Sequence, residues 1–395
     1  MNRRALLALT AAWPALTLAG RLIAAPRAGA RFLLVFLRGG YDCANLLVPY
    51  SSSYYYESRP SIAVARPPAG GGPGALALDA DWALAPAVRE ALGPLYSRRE
   101  LAFIPFAGTD DLSRSHFETQ DSLELGQGLG GARDFRSGFL ARLAALLNGA
   151  VPISFTDSLP LVWRGSADIP NISLKALGKP AFDARQAGIL ESMYDSHHLK
   201  AAVADGLELR QEVARAMDDE MTAANRGAVT TKGFALEAGR MGRLMREQYS
   251  LGFVDVGGWD THVNEGGAHG QLATNLENLA RGLGTFAEAL GGEWQNSVVV
   301  VVSEFGRTFR ENGSRGTDHG HGSVYWVLGG ALRGGRIAGA QARVEAGTLF
   351  QNRDYPVLNN YRAVLAGLFR SLWGLSGSQL ERVFPSAEAA DLGLV

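Results

Sequence analysis

Four short apolar runs constrain what this chain can fold into. Arg31-Phe-Leu-Leu-Val-Phe-Leu37 ends at Gly39-Gly40, and Leu101-Ala-Phe-Ile-Pro-Phe106, Leu251-Gly-Phe-Val-Asp-Val256 and Val298 to Val302 repeat the pattern. Each is too short for a helix and apolar on both faces, which suits a strand buried between layers in a parallel sheet. Pro105 has no N–H to give to a ladder, so the second run is expected at a sheet edge or a strand end.

Helical patterns fill the spaces between these runs. Leu272, Leu276, Leu279, Leu283, Phe286 and Leu290 form one apolar stripe, predicting a helix over about Gln271 to Leu290. With the runs before and after it, this region reads strand, helix, strand, a βαβ unit with both strands parallel. Arg185 to Arg246 is mostly helical in pattern and suits a helical layer or lid, and Arg66 to Ala75 is a Pro/Gly loop. Without internal repeats or a clear linker, residues 31–395 are expected to form one α/β domain.

Composition removes several classes. The 395 residues are 47% apolar and 19% charged, which excludes intrinsic disorder, collagen and coiled coil. A net charge of −1 offers no basic field for nucleic acid, and one cysteine permits no disulfide framework. Residues 1–30 have the layout of a secretory signal peptide: Arg3-Arg4, an apolar stretch from Ala5 to Gly20, and Ala28-Gly29-Ala30 before Arg31. Pro14 and Arg21 interrupt the stretch, so it is not a convincing membrane span, and Arg3-Arg4 resembles a twin-arginine signal. Removing residues 1–30 takes away four arginines and no acid, changing the net charge from −1 to −5. No later run has membrane length, and a periplasmic or secreted protein is expected.

Ligands of open parallel sheets bind beyond the carboxyl ends of the strands, where this sequence carries polar clusters. Arg38-Gly-Gly-Tyr-Asp42 follows the first run, Gly257-Gly-Trp-Asp260-Thr-His262 the third, and Ser303-Glu304-Phe-Gly-Arg307 the valine run, with Thr317-Asp318-His319-Gly-His321 close behind. Asp, Glu and His are the ligands of zinc, manganese and similar divalent ions. Each cluster also has a plain reading: Asp42 can cap a turn, Asp260 and His262 share a face only on extended backbone, and Glu304 can pair with Arg307 or Arg310. Ser115 opens a helix, where it can attack a phosphoryl or sulfuryl centre, but Ser115-x-x-Glu118 is equally a capping box. His116 is a candidate base, ligand or supporting group. Arg38, Arg114 and Arg307 carry forked donors suited to an oxyanion. Cys43 is either a soft ligand or, more in keeping with an oxidising compartment, a small buried residue.

Phe36-Leu-Arg-Gly-Gly-Tyr-Asp42, Ser113-Arg-Ser-His-Phe117, Gly257-Gly-Trp-Asp-Thr-His262, Ser303-Glu-Phe-Gly-Arg307 and Thr317-Asp-His-Gly-His321 occur in that order. Together they resemble the exported bacterial proteins grouped as domain of unknown function 1501, which in turn is similar to the alkaline phosphatase and sulfatase superfamily. The resemblance implies an alkaline phosphatase-like three-layer α/β/α sandwich with a mostly parallel central sheet. It also implies a metal site drawing on Asp42, Asp260, His262, Glu304, Asp318, His319 and His321, with Ser115 as nucleophile. The sequence departs from the superfamily in two places. Its Asp260 and His262 stand two residues apart with Asn264 at the usual position, and Glu304-Phe305 replaces an Asp-His pair.

The expectation is an exported hydrolase of phosphate or sulfate esters. One or two divalent ions, zinc or manganese, would sit in the cluster. His116 would assist Ser115, and Arg114 and Arg307 would orient a small anionic ester. The alternative is a non-catalytic periplasmic binding or assembly protein that keeps the fold and a structural metal.

Overall fold

The computed structural model describes residues 29–70, 72–165, 169–173, 184–207 and 233–395. The expected signal peptide therefore lies outside the described residues except for Gly29 and Ala30, as does much of the helical stretch expected from Arg185 to Arg246.

The main sheet contains β1 (Arg31–Leu37), β2 (Leu101–Gly108), β3 (Pro152–Ser154), β4 (Leu251–Val256), β5 (Ser297–Ser303), β6 (Ser323–Leu328), β7 (Arg336–Ile337) and β8 (Asn359–Asn360). Its order is β7-β2-β6-β5-β1-β4-β3, with β8 also paired to β2. β1 pairs in parallel with both β4 and β5, whereas β6 runs antiparallel to its neighbours β5 and β2. The sheet is thus mostly parallel with one reversed strand inside it. A small antiparallel sheet joins Leu47–Val48, Ala83–Leu84 and Leu76–Ala77.

Apolar residues on both faces of each strand require cover on both sides, and the alternation in β1 shows it. Leu33, Val35 and Leu37 enter one core with residues of α1 (Pro86–Ser97), α3 (Phe234–Glu247) and α4 (Gln271–Leu290). Phe32, Leu34 and Phe36 enter a second core with residues of α2 (His116–Leu125), α5 (Tyr361–Trp373) and the helix Gly377–Val383. Two cores separated by one sheet make the three-layer α/β/α sandwich expected from the sequence. The helix over Gln271–Leu290 forms with the expected bounds, and its six stripe residues are all buried.

Two expectations change in detail. β4 and β5 are parallel but not neighbours, because β1 lies between them and bonds to both. The run holding Pro105 is not an edge: β6 covers one side, and the two-residue strands β7 and β8 cover the other. The missing N–H is accommodated by a register shift between Ile104 and Ala107, with Phe106 in a left-handed conformation at φ 53° and the Pro105 carbonyl accepting from Asn359 Nδ2.

Leu34 is fully buried at the centre of β1, on the face covered by α5. Leu34→Ala should lower the unfolding free energy by about 3 kcal/mol. The check is a shift of the denaturation midpoint at unchanged denaturant sensitivity.

Candidate metal centre

The topology explains why distant segments meet. The carboxyl ends of β1, β2, β4 and β5 share one edge of the sheet, and the reversed strand β6 begins at that same edge. The segments after β1, β2, β4 and β5 and the segment before β6 therefore crowd together. Gly39 and Gly320 permit the close approach. Gly39 has φ +126°, and a Cβ on it would stand 2.8 Å from the Asp260 nitrogen. A Cβ on Gly320 would stand 2.4 Å from the Arg307 carbonyl carbon, next to the bridge pairing Arg307 with His319.

Three imidazoles and one carboxylate converge. His319 Nε2 lies 3.0 Å from His116 Nε2 and 3.1 Å from His262 Nε2. Asp260 Oδ1 lies 2.9 Å from His262 Nε2 and 3.2 Å from His319 Nε2, and Asp260 Oδ2 lies 3.5 Å from His116 Nε2. His116, Asp260 and His319 offer ligand atoms all within 4.8 Å of one another.

The other nitrogen of each ring faces a group that can only accept. Nδ1 of His116 is 2.8 Å from Glu304 Oε1, Nδ1 of His262 is 3.1 Å from Asp318 Oδ1, and Nδ1 of His319 is 3.0 Å from the Arg114 carbonyl. Each Nδ1 must therefore carry the proton, which in a neutral ring leaves Nε2 with a lone pair. The Arg307 guanidinium answers Asp260 Oδ1 and comes within 3.4 Å of His262 Nε2, but the Nε2 atoms of His116 and His319 face each other and Asp260 with no side-chain cation of the described residues between them. Imidazoles turned inward by outer carboxylates and carbonyls are the arrangement found around bound metals. The donor set therefore fits a divalent ion.

Charge around the site follows the same pattern. The hydrogen bond to Glu304 raises the pKa of His116 against the effect of its partial burial, with the Glu304 and Asp260 charges adding to it. Burial lowers His319, helped by His116 and Arg307. Desolvation pushes Asp260 up, but the Arg307 guanidinium and the neighbouring imidazoles hold it below the usual carboxylate value.

Several expected roles are corrected. Asp42 is not brought to the cluster: its carboxylate is fully buried and held by Arg59, with Nη1 2.5 Å from Oδ2 and Nη2 2.9 Å from Oδ1. Glu304 and Asp318 stand behind the rings instead of among the converging atoms. Glu304 Oε1 accepts from the Gly39 and Gln120 nitrogens as well as His116, and Oε2 accepts from Ser303 Oγ. His321 is buried against Phe350, where desolvation lowers its pKa to about 4. Cys43 is a buried thiol, as its plainer reading had it.

The expected anion clamps are also occupied. Arg307 is 3% exposed, and its guanidinium donates to the carbonyls of Gly39, Gly40, Trp259 and Thr317 and to Asp260. Arg114 donates through its guanidinium to Asp354 and Gln351, and only its carbonyl meets the cluster. Arg38 binds Asp255, Gln120 and Glu124. Ser115 occupies the position before α2 without a side-chain capping bond, so the capping box does not form, and its own N–H is taken by Ser113 Oγ.

A buried network beneath the cluster has no signature in the sequence. Arg59 also donates to Asn45 Oδ1 and to the Phe309 carbonyl. Burial and the Asp42 charge raise Glu265 to a pKa of about 9, so it is protonated at neutral pH. Its Oε2 accepts from Thr261 and Thr317, the neighbours of Asp260 and Asp318.

This α/β protein with a strand-end cluster of His and Asp matches the model of a family described as "Protein of unknown function (DUF1501)" over residues 103–384. The chain belongs to that family. No curated protein matches its sequence. Among solved structures it is similar to the lipoteichoic acid synthase LtaP from Listeria monocytogenes, at 9% identity and TM-score 0.43, covering 93% of this chain and 76% of that one. A protein in the alkaline phosphatase superfamily from Vibrio parahaemolyticus is similar at 13% identity and TM-score 0.32, covering 77% and 61%. The C-terminal periplasmic domain of EptC from Escherichia coli, in complex with Zn, is similar at 9% identity and TM-score 0.36, covering 78% and 76%.

Glu265 keeps its proton in the folded chain up to about pH 9, while an unfolded glutamate loses it near its ordinary value of 4.5. Its contribution to stability is thus complete below 4.5 and lost as pH rises toward 9. Glu265→Gln keeps acceptor and donor but has no proton to lose. Unfolding measured at about pH 5 and about pH 8 should show the wild type losing more stability than the variant.

Proposed function

We propose that this protein is an exported, metal-dependent hydrolase of phosphate or sulfate esters, holding one divalent ion per chain through His116, Asp260, His262 and His319. The observation that carries this reading is the set of three Nε2 atoms turned toward one carboxylate while every Nδ1 is bonded outward. Three imidazoles and a carboxylate suit zinc. When bound, such an ion supplies Lewis acidity toward an ester oxygen.

The chain's own residues do the remaining work. Glu304, Asp318 and the Arg114 carbonyl orient the rings, and Arg307 fixes Asp260. Ser115 is the proposed nucleophile, next to His116 in the chain and free of a capping bond. Its Oγ would bond to phosphorus or sulfur as the ester's alcohol departs with the hydroxyl proton, and water would then release the anion. Residues 1–30 would direct export, by the twin-arginine route in this reading, and 31–395 would form the mature domain. No helix among the described residues is long and apolar enough to cross a membrane.

A second reading, a non-catalytic exported binding or assembly protein with a structural metal, is favoured by the engagement of Arg38, Arg114 and Arg307 in internal bonds. Elemental analysis of the mature protein purified without chelators should find one transition-metal ion per chain, and His319→Ala should abolish its retention. Ser115→Ala should retain the ion but lose turnover of an aryl phosphate or aryl sulfate, by about a thousandfold or more. An ion without turnover of any aryl phosphate, phosphodiester or sulfate would select the second reading. No ion, and none taken up on addition, would overturn both.

A further inference from the structure

Beside the cluster lies a cavity of about 190 Å³, lined by Thr308, Arg310, Asn312, Asp318 and Arg353 among others. Asp318 is the shared wall: its Oδ1 accepts from His262 Nδ1 on one side and from Asn312 Nδ2 on the other. The acids in the cavity wall already have donors. Glu311 accepts from the Ser61 and Ile62 amides and from Ser61 Oγ, so its charge is answered by a neighbouring turn.

The guanidinium groups differ from those elsewhere in the site. Arg38, Arg59, Arg114 and Arg307 are all tied to carboxylates. Arg310 forms no ion pair among the described residues; its guanidinium lies 5.4 Å over the Tyr54 ring, a contact that uses the face of the group and leaves its N–H edges open. Arg353 pairs through Nη1 with the Asp354 carboxylate at 3.3 Å, a carboxylate it shares with Arg114, so that Arg310 is the guanidinium of this cavity without an ion pair among the described residues. Guanidinium donors of the kind that meet a planar or tetrahedral anion therefore line this cavity, adjoining the cluster where they are otherwise lacking.

We infer that this cavity binds a second anionic group of the substrate, a carboxylate, phosphate or sulfate, and that Arg310, assisted by Arg353, sets a preference for esters bearing two anions. This inference rests on the ester-binding reading of the cluster. The cavity holds the non-reacting anion, while the reacting one lies at His116, Asp260, His262 and His319.

The test compares two non-hydrolysable probes, phenylphosphonate and 4-carboxyphenylphosphonate, binding by calorimetry to the zinc-loaded mature protein. The carboxylated probe should bind about tenfold more tightly to the wild type, the worth of one charge-assisted contact. Arg310→Ala should remove that advantage while leaving phenylphosphonate affinity unchanged, and Arg310→Lys should restore part of it. Because Arg310 is exposed at the surface, its removal should not impair folding. Equal binding of both probes by the wild type, or an advantage that survives Arg310→Ala, would overturn this inference alone. Binding of neither probe would overturn the ester-binding reading along with it.

Discussion

All three nitrogens of the Arg307 guanidinium are used inside the protein, and the site depends on where those bonds go. They reach Gly39 and Gly40 beyond β1, Trp259 and Asp260 beyond β4, and Thr317 ahead of β6. A single side chain rising from the end of β5 thus ties together the ends of its neighbours in the sheet. Carbonyl oxygens gathered at a sheet edge would otherwise need water, and a planar cation with five fixed donors answers several of them at once. The same guanidinium stabilises the Asp260 carboxylate and restrains its position next to the imidazoles. An arginine near a cluster of acids and imidazoles invites a role in binding substrate, but burial gives this one to the scaffold.

The histidines divide their two nitrogens between structure and chemistry. For each ring, an outer acceptor fixes the tautomer and the inner nitrogen faces the converging group. Glu304 and Asp318 matter through this arrangement: each orients a ring without itself standing at the focus, and Glu304 raises the basicity of His116. One buried level deeper, Arg59, Asp42 and protonated Glu265 form a compact network of one cation and two acids, of which one acid is neutral. Removing the guanidinium from such a group would leave a buried carboxylate without a partner, which is far more costly than never having placed it there.

Much of this was legible from the sequence. The strands Arg31–Leu37 and Leu251–Val256 and the helix Gln271–Leu290 fall at their expected positions, because continuous apolar runs and a helical stripe are local signals. Parallel strands put their carboxyl ends together, which brings Asp260 and His262 to the edge where Glu304 lies, while His319 arrives there because the reversed strand β6 begins at that edge. What sequence could not give was side-chain direction. Whether Asp42 faces an ion or Arg59, whether Arg114 offers its guanidinium or its carbonyl, and which face of the Glu304 carboxylate meets His116 depend on packing between segments far apart in the chain. Arg59 and Glu265 sit in stretches with no periodic or motif signal, so their burial emerges only in three dimensions. His321 shared a motif with His319, yet two residues later the chain has turned it toward Phe350.

The reversed strand β6 has a consequence for how the molecule comes together. It lies between β2 and β5, and His319 precedes it while His116 follows β2, so two of the converging rings are 203 residues apart in the chain. Closing loops of that length carries an entropy cost that must be met before any contact at the site forms. A chain with only β1, β4 and β5 in register would hold His262 but lack two of the three imidazoles, His116 after β2 and His319 ahead of β6. An ion that needs all of them would bind the finished sheet and almost nothing that precedes it, so its retention would report completion of folding, and its concentration would shift the folding equilibrium toward the native state.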